Sequence, residues 1–117
     1  MAKVLIIDDE QLIRECLGEF LKMATEKEVI EAAKGMEGVS LAVKEKPEVV
    51  FCDIGLPDIP GTEVIRQLRN NRCFKDTLVI AMSAEYDNEK KALEIGANVF
   101  LRKPFSISDV EKAMGGF

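Results

Sequence analysis

The chain has 117 residues, 47% of them hydrophobic and 32% charged, with 16 Lys and Arg against 21 Asp and Glu, a formal net charge of −5, and no histidine. That length predicts one domain over residues 1–117 with a single apolar core; no apolar run reaches the roughly 18 residues of a membrane span, and the acidic balance with scattered lysines argues against direct nucleic-acid binding. The missing histidine removes the commonest general base, the commonest transition-metal ligand and every Ser-His or Cys-His pair, which leaves carboxylates, lysine, hydroxyls and thiols to carry any chemistry.

Residues 4–7 form a short, continuous, β-branched run that reads as a strand buried on both faces. Asp8 and Asp9 follow it directly. Leu12, Ile13, Cys16, Leu17, Phe20 and Leu21 then make one apolar stripe opposite Arg14, Glu15, Glu19 and Lys22, which predicts an amphipathic helix. Residues 28–32 read as a weaker strand, and 36–46 as a helix with Val39, Ala42 and Val43 inward and Pro47 ending it. Residues 49–52 are a third strand, followed by Asp53, and 62–70 a helix with Val64, Ile65 and Leu68 apolar. A fourth strand over 78–82 runs into Ser83, and a helix over 88–95 ends at Gly96, a left-handed cap. A fifth strand over 98–101 leads to Arg102-Lys103-Pro104-Phe105, and Ser106 opens a last helix as Ser-x-x-Asp, with Ile107, Val110 and Met114 on one side.

Five strand-then-helix units with no internal repeat predict an α/β fold: a flavodoxin-like, doubly wound, five-stranded parallel sheet of order 2-1-3-4-5 with five helices. The three cysteines, Cys16, Cys52 and Cys73, have no C-x-x-C spacing, and the N-terminus has no signal-peptide pattern; both fit a reducing cytoplasm.

In such a sheet ligands bind beyond the carboxyl ends of the strands, between the first and third. That edge receives Asp8, Asp9 and Asp53, from strands about 4.8 Å apart. Two carboxylates about 6 Å apart repel by roughly 3 kcal/mol at an effective dielectric near 20, so three together call for a counter-charge or a proton. Oxygen donors without His or Cys suit Mg²⁺, with Mn²⁺ as the alternative. Asp8 or Asp9 alone reads as a cap of the next helix; Asp53 on the adjacent strand tips the reading to metal. Ser83 and Lys103 end the fourth and fifth strands on the same rim, where a hydroxyl and an ammonium would meet the oxygens of a phosphoryl group. No G-x-x-x-x-G-K or G-x-G-x-x-G is present to cradle a nucleotide. Asp53, the most central acid, is the candidate nucleophile for an acyl phosphate.

As a set, these residues resemble the receiver domain of two-component response regulators, over essentially the whole chain. The resemblance places the family's acidic pair at Asp8 and Asp9 and its phosphoaccepting aspartate at Asp53. Its Ser/Thr falls at Ser83, its Lys-Pro at Lys103-Pro104 and its switch aromatic at Phe100. It implies Mg²⁺ held by the acidic pair, Asp53 and the backbone carbonyl of Gly55. It further implies a phosphohistidine donor on a sensor histidine kinase or a histidine phosphotransfer protein, and catalysis by the chain of its own phosphorylation and hydrolysis. The output would be a reshaped surface of the fourth helix, fifth strand and fifth helix, presented to a downstream protein target with no membrane or nucleic acid involved. Phe100 reads equally as core packing; for Ile13, Leu17 and Phe105, the candidates for kinase docking, core packing is the commoner role of such residues. Gly55 and Glu85 fall at positions that modulate hydrolysis in the family. Two other readings compete: a phosphorylation-independent receiver-like binding module, and an independent enzyme on a similar sheet. The second would be a Mg²⁺-dependent phosphohydrolase or a flavodoxin, but the adjacent acids lack the Asp-x-Asp spacing of the former and would repel the phosphate of the latter.

Overall fold

The computed structural model describes residues 2–85 and 87–116. Five parallel strands, β1 (Lys3–Ile7), β2 (Glu28–Ala32), β3 (Val49–Asp53), β4 (Leu78–Ser83) and β5 (Val99–Arg102), form one sheet in the order β2-β1-β3-β4-β5. Five helices connect them: α1 (Gln11–Ala24), α2 (Gly35–Glu45), α3 (Gly61–Arg69), α4 (Asn88–Ile95) and α5 (Ile107–Ala113). This is the predicted flavodoxin-like order, with element ends displaced by at most a few residues.

Strand alternation divides the core in two. Leu5, Ile7, Val50, Cys52, Val79 and Ala81 face α2, α3 and α4, meeting Ala42, Val64, Ile65, Leu68 and Ala92. Val4, Ile6, Val49, Phe51, Ile80 and Met82 face α1 and α5, meeting Leu17, Leu21, Val110 and Ala113. The central strands β1, β3 and β4 read as continuous apolar runs because both faces are covered.

The buried seams of the helices are narrower than the apolar stripes that periodicity predicts. Leu12, at 70% exposure, and Cys16 lie on the solvent side of α1, and so do Val43 on α2 and Ile107 on α5. A helix against a sheet buries a narrow seam, so residues at the margin of an apolar stripe stay in water. The stop before Pro47 is as expected, with Lys46 left-handed at φ 49°. Gly96 closes α4 at φ 127°, and the Ser106–Asp109 capping box is formed in both directions. Among the described residues no helix is long and apolar enough to cross a membrane.

Candidate functional site

The parallel order puts the C-terminal ends of β1, β3, β4 and β5 along one edge, where an open cleft of about 360 Å³ is lined by Asp9, Glu10, Asp53, Gly55, Ser83, Glu85, Asn88 and Lys103. Asp8 is wholly buried beneath it, and Asp53 is 6% exposed. Three carboxylates, Asp8, Glu10 and Asp53, each bring an oxygen within 4.8 Å of the others. The third is Glu10, where Asp9 was expected. The chain is still extended at Glu10, with φ −82° and ψ 109°. The Asp8 side chain accepts from the Glu10 amide at 2.9 Å across a bend at Asp9, so Glu10 returns over Asp8 while Asp9 stays exposed on the cleft rim. An aspartate directly after a strand, able to close such a turn two residues on, is the signal in the sequence that could have found Glu10.

Lys103 is the counter-charge. Its ammonium lies 2.9 Å from Asp8 Oδ2, 3.0 Å from Glu10 Oε1 and 3.4 Å from Asp53 Oδ1. Burial opposes the ammonium's charge, but the carboxylates around it outweigh burial and hold its pKa above the ordinary lysine value. Burial, and after it the charge of Asp8, push the Asp53 carboxyl above the usual carboxylate range; Lys103 and the Gly55 amide pull it back without cancelling the rise. The Asp8 oxygen facing Lys103 accepts no well-aligned hydrogen bond although it is buried. Three clustered carboxylates share this one ammonium, and an all-oxygen donor set that keeps net negative charge fits a hard divalent cation.

Ser83, at the end of β4, is buried, and its hydroxyl accepts from the Glu85 amide and from Asn88 Nδ2, both at 3.0 Å. Two donors on the oxygen leave the hydroxyl proton for a third group. Cys52 lies beside Asp53, but burial, with the charges of Asp53 and Asp8, drives its thiol pKa upward and keeps it a neutral core group.

From the segment between β3 and α3, Asp53 and Gly55 line the cleft. The Gly61 amide donates to the Ile54 carbonyl at 2.8 Å, and a Cβ on Gly61 would overlap the Asp53 carbonyl. The Gly55 amide donates to Asp53 Oδ1 at 3.4 Å. Asp58, which the sequence reading passed over, accepts from the amides of Gly35 at 2.8 Å and Met36 at 2.9 Å, the first two residues of α2.

The remaining candidates lie off the cleft. Phe100 is half-buried against the α3–α4 side of the core and lines a separate groove with Pro104 and Lys112. Leu17, Phe20, Phe105, Ile107 and Val110 line a small apolar pocket between α1 and α5 of about 120 Å³. Leu17 is nearly buried in it, Phe105 is half-buried, and Ile13 is half-buried on α1 without lining that pocket.

A family model described as the response regulator receiver domain matches residues 4–115. The chain is 39% identical over 116 residues to the KDP operon transcriptional regulatory protein KdpE of Escherichia coli, covering 95% of this chain and 48% of that protein. It spans about half the length of the curated relatives it matches. Among solved structures it resembles the chemotaxis response regulator CheY4 of Vibrio cholerae, with a TM-score of 0.90 and 29% identity over 98% of this chain and 97% of that one. It also resembles a chain in the co-crystal structure of the Saccharomyces cerevisiae histidine phosphotransfer protein Ypd1 with the receiver domain of Ssk1. There the TM-score is 0.84 and the identity 25%, over 95% and 84% of the two chains.

Proposed function

This chain belongs to the response regulator receiver-domain family, and from that premise we propose that Asp53 is the residue on which it accepts a phosphoryl group from a phosphohistidine of a sensor histidine kinase or a histidine phosphotransfer protein. The observation that carries the reading is the cleft itself: a nearly buried carboxylate at the end of a central strand, with a lysine ammonium 3.4 Å away and two further carboxylates within reach. Asp53 Oδ attacks phosphorus, and the Oδ–P bond forms as the donor's P–N bond breaks, giving an acyl phosphate that water later hydrolyses. Lys103 is placed to balance the charge gathering on the phosphoryl oxygens, and the Ser83 hydroxyl to donate to one of them.

Asp8, Asp53 and the Gly55 carbonyl are the groups that would hold a cation, with Asp9 and Glu10 at its mouth. Mg²⁺ suits these oxygen donors, and Mn²⁺ is the alternative. Once bound, it neutralises the charge that otherwise holds an anionic donor off the carboxylates. Residues 1–117 make up the receiver, and its output is a contact with a downstream protein. Drawing Ser83 and Lys103 onto a phosphoryl group frees space for Phe100 to turn inward, which reshapes the α4–β5–α5 surface. The pocket between α1 and α5, with Leu17 and Phe105 in it and Ile13 nearby, is the docking surface for the phosphodonor protein. The pairing of a phosphotransfer protein with a receiver domain in the structure of Ypd1 and Ssk1 supports that partner class.

The decisive experiment is intact-mass spectrometry after treatment with acetyl phosphate, with and without Mg²⁺. The expected result is one added phosphoryl group that requires Mg²⁺ and is absent in Asp53→Asn. A wild-type protein that stays unlabelled while still binding its partner would establish the phosphorylation-independent module instead.

A further inference from the structure

We propose that Asp58 is a positioning residue for the cation site. It would hold the Gly55 segment in place by anchoring it to the first turn of α2, and this role rests on the reading of the cleft given above. Helix α2 begins without a cap of its own: Lys34 stands at the N-cap and makes no side-chain hydrogen bond to the helix. The first amides of a helix need an acceptor. Asp58 supplies it from 22 and 23 residues away, one carboxylate oxygen to Met36 and the other to Gly35. These two bonds come first in holding its carboxyl down at about 2, so the anchor stays charged throughout the range in which proteins work.

The anchored segment is the one that must be steady. Gly55 offers a cation its backbone carbonyl, and a carbonyl is aimed by φ and ψ alone. Glycine constrains those angles least, and a Cβ at Gly55 would meet nothing within 4 Å, so no neighbour crowds that side of the residue. Rigidity has to come from both sides. On the α3 side, the Gly61 amide closes the loop onto Ile54 at 2.8 Å. On the α2 side, Asp58 and Ile59 lock the loop to the helix, with Gly35 so close to Ile59 that a Cβ there would lie 2.6 Å from Ile59 Cγ1. Without Asp58 the α2 side keeps only the packing of Ile59 on Gly35, and loses both of its hydrogen bonds.

The test is calorimetric Mg²⁺ titration of the full chain, compared across wild type, Asp58→Ala, Asp58→Asn and Ser106→Ala, each with its thermal melt. Groups that orient metal ligands typically contribute tenfold or more to affinity, so Asp58→Ala should weaken Mg²⁺ binding about 10-fold. Asp58→Asn, which keeps one acceptor oxygen, should recover part of that loss, and it carries the test if the alanine variant does not fold. Ser106→Ala removes a helix cap remote from the loop and should lower Tm with no change in Mg²⁺ affinity. An Asp58→Ala or Asp58→Asn protein that melts lower yet binds Mg²⁺ like the wild type overturns the positioning role and leaves the cleft reading standing. A wild type that takes up no Mg²⁺ overturns both.

Discussion

Asp53 sits at the balance point of the cleft, since burial and Asp8 raise its pKa while Lys103 lowers it. Only the ionised form is a nucleophile, and in the metal-free protein its protonation should set in above the ordinary aspartate value of about 3.9. Taking away the ammonium should move it further. In metal-free Lys103→Ala, a carboxyl-carbon NMR titration should show Asp53 protonating at higher pH than in the wild type, and an unchanged midpoint would mean that the ammonium does not act on it. Gly61 makes a steric prediction. With no room for a Cβ above the Asp53 carbonyl, Gly61→Ala should cost about 1–3 kcal/mol or more in urea unfolding. Asp53, Ser83 and Lys103 were legible in the sequence because each directly ends or follows a strand, and the switch-point rule says where strand ends go. Glu10 was not, because its place depends on the turn that the Asp8 side chain closes onto the Glu10 amide, and strand-end position alone does not report that turn.

The contrast between the ends of α5 and α2 shows how far local sequence reaches at the level of elements. The α5 cap lies within four residues and was readable as Ser-x-x-Asp; Ser106→Ala should cost about 1 kcal/mol of stability, measured by denaturant titration. The α2 cap comes from the loop after β3, and nothing near Lys34 points to it. Asp58 also links that cap to acid stability. Its folded pKa of about 2 lies below its unfolded value, so its contribution is fully present above pH of about 4 and is lost as the pH falls toward 2. Thermal melts across that window should show a shallower loss in Asp58→Asn than in the wild type. Arg69 was equally unreadable. Its guanidinium donates to the carbonyls of Gly96, Phe74 and Thr77 and to Asn98 Oδ1, tying the end of α3 to the starts of β4 and β5. The sequence shows only a charge in the last turn of a helix. The overwide stripes of α1, α2 and α5 have the opposite origin: periodicity reports which face is apolar, but the flatness of the sheet decides how much of that face is covered.

For the molecule as a whole, strand order was the most legible property, because five buried strands alternating with helices leave few right-handed arrangements. That order also makes the cleft a property of the folded state alone, since β1, β3 and β5 contribute residues far apart in the chain. Mg²⁺ should therefore bind the folded chain in preference to the unfolded one and raise its melting temperature. At 100 times its Kd the stabilisation should be about 2.7 kcal/mol, seen in thermal melts with added Mg²⁺ and lost in Asp8→Asn.

The raised pKa of Asp53 has a consequence for how well the resting protein folds. A carboxyl whose folded pKa lies above its unfolded one favours the folded state only while it is protonated; as pH rises through that interval the contribution becomes a penalty, in force at neutral pH. Metal-free Asp53→Asn should then melt higher than the wild type at pH 7, and a lower melting point would show that the Lys103 contact outweighs the penalty. The proposed phosphoacceptor is thus also a weak point of the sheet, and substitutions chosen for thermal endurance alone would tend to remove it.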